Sequence, residues 1–333
     1  MTTQAATRSR TGSTMADGIQ RALDQALHED PRALVMGEDV GRLGGVFRIT
    51  AGLYDKYGAD RVIDSPLAEA GLVGTGIGLA LNGFRPIIEI QFDGFIFPAL
   101  NQICTHVARM PLRMHDRALL PMTIRLPTGG RIRASELHSE SPETYFAHSP
   151  DLRVVSASTP DTARALLLAA IRSDEPFVFL EPKRLYRRYR VEPEDEVAEV
   201  DPGRARLLRD GGDALLVVYG PMVDIALQAA DTMADEGVQV AVLDLVSLAP
   251  IDTRTLLEQA ARSGRVVVAA ESIRRCSISS EVVSLLAVEG FGSLKCAPRL
   301  LTSPNRPYPP AHEEDEHLPS VQDITNALRE VTA

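Results

Sequence analysis

The sequence predicts an α/β protein built from two doubly wound domains. Three observations carry this: amphipathic stretches alternate with short apolar runs from residue 13 onward, the alternation lapses in a charge-dense segment past the middle, and a second alternating series follows. Residues 1–13 (MTTQAATRSRTGS) show no apolar periodicity. They carry Arg, Ser and Thr without acid, as a transit peptide would, and are read as a disordered tail.

Met15, Ile19, Leu23 and Leu27 recur at helical spacing ahead of the apolar run 33–37. Further runs at 61–63, 86–92, 122–126, 152–155 and 177–180 read as strands, and 67–81 and 162–171 read as helices between them. Short, nearly uninterrupted apolar runs separated by helices predict a mostly parallel sheet covered on both faces. The first domain is placed at 14–190. Across 183–209 the chain reads KRLYRRYRVEPEDEVAEVDPGRARLLR, with Pro193 and Pro202, and the interdomain linker is placed at 191–209. The second domain, 210–333, is predicted to run strand 214–219, helix 224–236, strand 238–245, helix 254–261 and strand 265–270.

The composition narrows the function classes. With 333 residues and 44% hydrophobic content the chain can bury two cores. Forty-five acidic against 35 basic residues give a net charge of −10, which argues against a phosphate-backbone footprint and so against nucleic acid. Cys104, Cys276 and Cys296 are too few and too scattered for a disulfide framework or a closed zinc site, so no metal site is expected and a reducing cytoplasm fits. No apolar run approaches the roughly 18 to 20 residues of a membrane span.

Polar groups collect at predicted strand ends in GEDVG (37–41), DSPLAEAG (64–71) and EIQFDGF (89–95), where parallel sheets bind ligands. Taken singly, Glu38 or Asp64 fits a helix cap or a solvated carboxylate better than a site. Glu69 is more informative. It follows Pro66 by three residues and opens an otherwise small, apolar segment, so its carboxyl is expected to be largely buried, which raises a carboxyl pKa against the pull of the helix dipole. The alternative is a helix-start carboxylate held by that dipole. A fourth segment, 127–150, is long, polar and opened by glycine, as active-site loops are, and contains His138 and His148. A lone loop histidine is more often a surface residue than a catalyst.

Together these segments resemble a known family, the beta subunit of the decarboxylating component of 2-oxo acid dehydrogenase complexes, within the transketolase-like thiamine diphosphate superfamily. GEDVG with GGVFRIT, DSPLAEAGLVGTGIGLALNGFRPIIEIQFDGFIFPALNQI, HSESPETYFAHSP, FLEPKRLYR and the late PYPP stand in the family's order over nearly the whole chain. The resemblance implies a pyrimidine-binding domain followed by a transketolase C-terminal domain. It implies that Glu69 hydrogen-bonds the ring nitrogen of the aminopyrimidine, a contact that makes the cofactor its own base. Leu67, Gln91 and Phe95 fall on positions lining or stacking on that ring, Glu38 is grouped with them, and His138 matches a histidine implicated in proton transfer and in passing the acyl group to a lipoyl arm.

Two departures from the family pattern are visible. Glu140 stands for the usual Gln after a loop poor in glycine, GGRIRAS, and VAAESIRRCSISSE (268–281) replaces a glycine-rich stretch, departures that bear on the loop's flexibility and on the next helix's start. The family's diphosphate signature, Gly-Asp-Gly followed later by Asn-Asn, has no counterpart here; GGDA at 211–214 runs straight into a strand. The resemblance therefore assigns the diphosphate and its magnesium mainly to a partner alpha subunit in an alpha-2-beta-2 assembly, working with a lipoyl acyltransferase core and a dihydrolipoamide dehydrogenase. Branched-chain 2-oxo acids are the first expected substrates. Pyruvate or acetoin is the alternative, and a non-catalytic scaffold paralogue is the reading from another class.

Overall fold

The computed structural model describes residues 12–114, 119–192 and 200–333. The expected tail lies outside these residues except for Gly12 and Ser13, and Ser13 exchanges backbone hydrogen bonds of 2.7 and 2.9 Å with Val191. The two ends of the first domain are thereby pinned together. Thr14 then caps the first helix, Met15–Glu29, in a reciprocal box with Asp17, and the helix buries Met15, Ile19, Leu23 and Leu27 against the helix Pro160–Arg172.

The first sheet contains β1 Ala33–Gly37, β2 Val62–Asp64, β3 Arg85–Glu89, β4 Thr123–Thr128, β5 Arg153–Ser156 and β6 Phe177–Pro182. The second half supplies β7 Arg206–Arg209, β8 Ala214–Val218, β9 Val240–Asp244, β10 Ser247–Ala249, β11 Val266–Ile273 and β12 Arg299–Ser303. The orders are β10-β5-β6-β4-β3-β1-β2 and β12-β11-β8-β9-β7. All pairings are parallel except those of β10 with β5 and β7 with β9. Helices cover both sheets, as the buried, β-branched strands require.

The structure differs from the sequence reading in four places. Arg206–Arg209, assigned to the linker, forms the antiparallel edge strand β7; its charged ends and half-exposed Leu207 and Leu208 give an edge strand no apolar signature. β3 ends at Glu89, so Gln91 and Phe92, expected inside the strand, lie beyond it. The helix expected from residue 67 starts at Glu69. Finally, Ser247–Ala249 leaves the second half to pair with β5, so the second domain completes the first sheet. One apolar cluster accordingly runs from Leu34, Ile88 and Ile124 to Leu215, Leu243 and Val268. Polar ties cross the same junction: Ser158 donates to Asp244 at 2.5 Å and Tyr219 donates to Glu143 at 2.6 Å.

Candidate active site

β1 is followed in the chain by β2 on one side of it, while β3 flanks the other, so the crevice beyond the ends of β1 and β3 is a topological switch point. Glu38 is the first residue past β1. It is buried, its Oε1 has no hydrogen-bond partner, and burial, followed by the nearby charges of Glu69 and Asp39, pushes its pKa up. Gln91 lies two residues past β3, its amide 3.5 Å from Asp39 Oδ2 beyond the end of β1. Asp64 is not part of this group. It accepts the Gly41 backbone N–H at 2.6 Å, and a side chain at Gly41 would collide with that carboxylate, which explains the second glycine of GEDVG.

Glu69 begins the helix Glu69–Leu81 with no side-chain cap behind it. It is half-buried rather than largely buried as expected, because the helix leaves one face open next to Leu67, which is 79% exposed. Glu38 and Glu69 nevertheless share one electrostatic neighbourhood at the crevice mouth.

Gln91 is followed by Phe92, which starts an aromatic group. The His138 ring lies 4.0 Å from Phe92 and 5.4 Å from Phe95, centroid to centroid, and Phe92 meets Phe95 edge-on at 5.9 Å. Gly94 makes this possible, since any side chain there would run into the Leu137 carbonyl. His138 Nδ1 lies 2.9 Å from the Leu137 carbonyl oxygen. With Nδ1–H donating there, Nε2 of the neutral ring keeps its lone pair. His148 is exposed at the C-terminal end of the short helix Glu143–Ala147 and is not among the rings that meet His138.

The loop that carries His138 is anchored at both ends. Arg131 and Arg133 sit at φ 60°, an uncommon conformation for side-chain-bearing residues, and both backbone N–H groups donate to the fully buried Glu314, at 2.6 and 3.3 Å. Tyr308, from PYPP, donates to the same carboxylate at 2.6 Å and packs over Gly130. Hydrogen bonds from the far end of the chain thus supply what glycines would otherwise provide. At its return the loop meets Asp93, whose Oδ2 accepts the Glu140 N–H at 2.7 Å while Oδ1 pairs with Lys183. Both are buried, and burial pushes Asp93 up and Lys183 down, so each charge depends on the other. Deeper in the same sheet Arg125 pairs with Glu89 at 2.5 Å and with both oxygens of Glu181 at 2.7 and 2.9 Å.

Asp93, Lys183, Tyr308 and Glu314 were not singled out from sequence. They are 90 and six positions apart within their pairs, and the only available signal was the presence of Asp93 in EIQFDGF, Lys183 in FLEPKRLYR and Tyr308 in PYPP, with Glu314 just after it. The second departure is also accommodated: Ser277 caps the helix Ile278–Val288 by accepting from the Ser280 N–H, and Glu271 reaches Arg184 at 3.4 Å.

Known proteins place this arrangement. Residues 12–188 match the transketolase, pyrimidine binding domain family, and residues 203–324 match the transketolase, C-terminal domain family. The chain is 45% identical over 318 residues to the pyruvate dehydrogenase E1 component subunit beta of Leifsonia xyli, covering 94% of this chain and 93% of that one. It is 41% identical to the corresponding subunit of Acholeplasma laidlawii and 39% identical to that of Bacillus subtilis, each over 96% of this chain and 97% or 98% of theirs. In fold it matches a solved split gene transketolase, described as an inactive beta4 tetramer, with a TM-score of 0.77 at 23% identity over 97% of this chain and 99% of that one. A switch-point crevice, a histidine loop and these full-length likenesses converge: the chain belongs to the beta subunits of the thiamine-diphosphate-dependent 2-oxo acid dehydrogenases.

Proposed function

We propose that this beta subunit serves oxidative decarboxylation of pyruvate, and that its crevice receives the aminopyrimidine end of thiamine diphosphate. The observation that carries the reading is the pairing of Glu38 and Glu69 at the switch point, with a buried Glu38 oxygen lacking a donor. A ring bearing an exocyclic amine and a protonatable nitrogen is the chemistry that such an acceptor pair fits. Bound there, the cofactor would supply the carbon nucleophile that attacks the 2-oxo group. Glu69 would hold a proton at the ring nitrogen, Gln91 and Glu38 would fix the ring's edge, and Phe95 and Leu67 would line its faces. His138, with Nε2 available, moves the proton that accompanies acyl transfer to a lipoyl arm.

Pyruvate replaces the branched-chain preference because the three relatives above, at 39 to 45% identity, all carry pyruvate dehydrogenase names. The diphosphate and magnesium are assigned to an alpha subunit, in line with the missing Gly-Asp-Gly and Asn-Asn sequence. Exposed Leu67, Phe97, Leu137 and Tyr145 give that partner an apolar surface beside the crevice. A lipoyl acyltransferase core and a dihydrolipoamide dehydrogenase complete the proposed assembly, in the cytoplasm; no helix among the described residues is long and apolar enough to cross a membrane.

The test is reconstitution with the alpha subunit encoded by the same genome, followed by lipoyl-domain acylation from pyruvate, acetoin and 3-methyl-2-oxobutanoate. Faster acylation from pyruvate supports the reading. A preference for the branched substrate restores the first expectation, and no turnover with any of them favours the scaffold paralogue.

A further inference from the structure

We propose that Asp93 and Lys183 are positioning residues for His138, acting as a buried clamp that sets the height of its loop above the aromatic floor. The proposal rests on the role given to His138 above.

The two residues stand at the ends of strands flanking β4, Asp93 after β3 and Lys183 after β6. They meet over the point where β4 gives way to the histidine loop. Lys183 Nζ donates to the Pro127 carbonyl at 3.3 Å, on the outgoing side, and Asp93 accepts from the Glu140 N–H on the returning side. Glu140 closes the loop on itself, its carbonyl accepting the Gly129 N–H at 2.9 Å. His138 is two residues from that anchor. The clamp also touches the floor: Asp93 follows Phe92, and Lys183 Nζ lies 5.9 Å from the centre of the Phe92 ring on which His138 rests.

A purely structural ion pair is the competing explanation, and the same sheet contains one for comparison. Arg125, Glu89, Glu181 and Tyr186 satisfy one another within the core, Tyr186 donating to Glu181 at 2.7 Å. The Asp93–Lys183 pair instead spends one carboxylate oxygen and one ammonium proton on the two ends of a single loop. Desolvating both charges is costly, and the hydrogen bonds that offset it lead to His138.

The test separates charge from anchoring. D93N/K183M and D93A/K183M both remove the buried charges, but only the first keeps an acceptor for the Glu140 N–H. In the reconstituted alpha–beta enzyme, D93A/K183M should lower lipoyl acylation by about a hundredfold, the size of loss a roughly 1 Å misplacement produces, with a much smaller fall in decarboxylation coupled to an artificial electron acceptor. D93N/K183M should recover only part of the acylation, the share carried by the Glu140 anchor, and stay below wild type because the Lys183 contact to the Pro127 carbonyl is still missing. Added to H138A, D93A/K183M should cost nothing more, as expected of residues acting through one another.

Equal damage from the two double variants, or full additivity with H138A, overturns the clamp while leaving the role of His138 standing. A silent H138A overturns both. Should the variants not assemble, amide exchange in the wild-type enzyme decides: the Glu140 N–H must exchange more slowly than those of the exposed Glu136 and Leu137, and comparable rates refute the anchor.

Discussion

His138 rests on Phe92 with ring centroids 4.0 Å apart and planes 33° from parallel, its Nδ1 facing its own chain and its Nε2 unengaged. This geometry leaves one nitrogen for proton transfer and none for binding a neighbouring side chain. His138→Ala should therefore lower lipoyl acylation by about a hundredfold to ten-thousandfold, the range for a general acid or base, with a smaller loss in an artificial-acceptor assay of decarboxylation. Equal losses in the two assays would place His138 on the decarboxylation step or reduce it to a loop support.

Glu69→Gln is nearly isosteric and leaves the helix Glu69–Leu81 its backbone hydrogen bonds. Folding and assembly should survive, while proton exchange at the thiazolium carbon, followed in the assembled enzyme, should slow markedly. An unchanged exchange rate removes Glu69 from its role.

Glu314→Ala leaves the Arg131 and Arg133 N–H groups and the Tyr308 hydroxyl without their shared acceptor. The expected cost is on the order of 2 kcal/mol, from stranded buried donors. Amide exchange should rise across 129–137 and not in the first helix. Uniform destabilisation across the chain, with no local signature, would show that Glu314 does not hold this loop.

Burial pushes the Asp244 carboxyl up to about 6, against hydrogen bonds from Ser158 and the Val246 N–H that pull it down. The unfolded chain releases this proton near the ordinary value of 3.8, so the native state alone holds it between the two values. The stability it contributes is full below the lower value and is lost as pH rises through about 6. Asp244→Asn gives up one of the two accepted hydrogen bonds but should remove that dependence, so the stability difference should shift in the variant's favour between pH 4 and 8, by up to roughly 3 kcal/mol. Melting curves of the two that stay parallel from pH 4 to 8 would contradict the assignment.

The isolated chain should bind thiamine diphosphate weakly and turn nothing over, since the anionic end of the cofactor is assigned to another subunit. Calorimetry on the lone subunit with magnesium provides the measurement; tight, magnesium-dependent binding would move the diphosphate site onto this chain.

The central strands were legible because burial on both faces leaves an apolar run that little else imitates, as in 33–37 and 214–218. Edge elements carry no such mark: RLLR of β7 reads as linker, and the three residues of β10 reveal nothing about which sheet they join. The helix Val321–Thr332 carries Ile324, Leu328 and Val331 at helical spacing and buries all three. Around the proposed site, motif order offers Glu38, Gln91, Phe95 and His138 as candidates, but not the groups that hold them. Asp93 meets Lys183 90 positions away, and Arg131 meets Glu314 183 positions away. Such long-range partners have no local pattern, and the exposure of Glu69 depended on a helix face that only the packing defines.

The crossing of Ser247–Ala249 into the first sheet bears on how the chain matures. A nascent chain released only as far as the linker would present β5 as a bare edge, with its backbone donors and acceptors unpaired and ready to template a neighbour. Completion waits until residue 249 has emerged, with the three strands β7, β8 and β9 made in between. The first sheet is therefore finished only by the second half, and severing the two between residues 191 and 205 should yield a first fragment that aggregates unless its second half is supplied in trans.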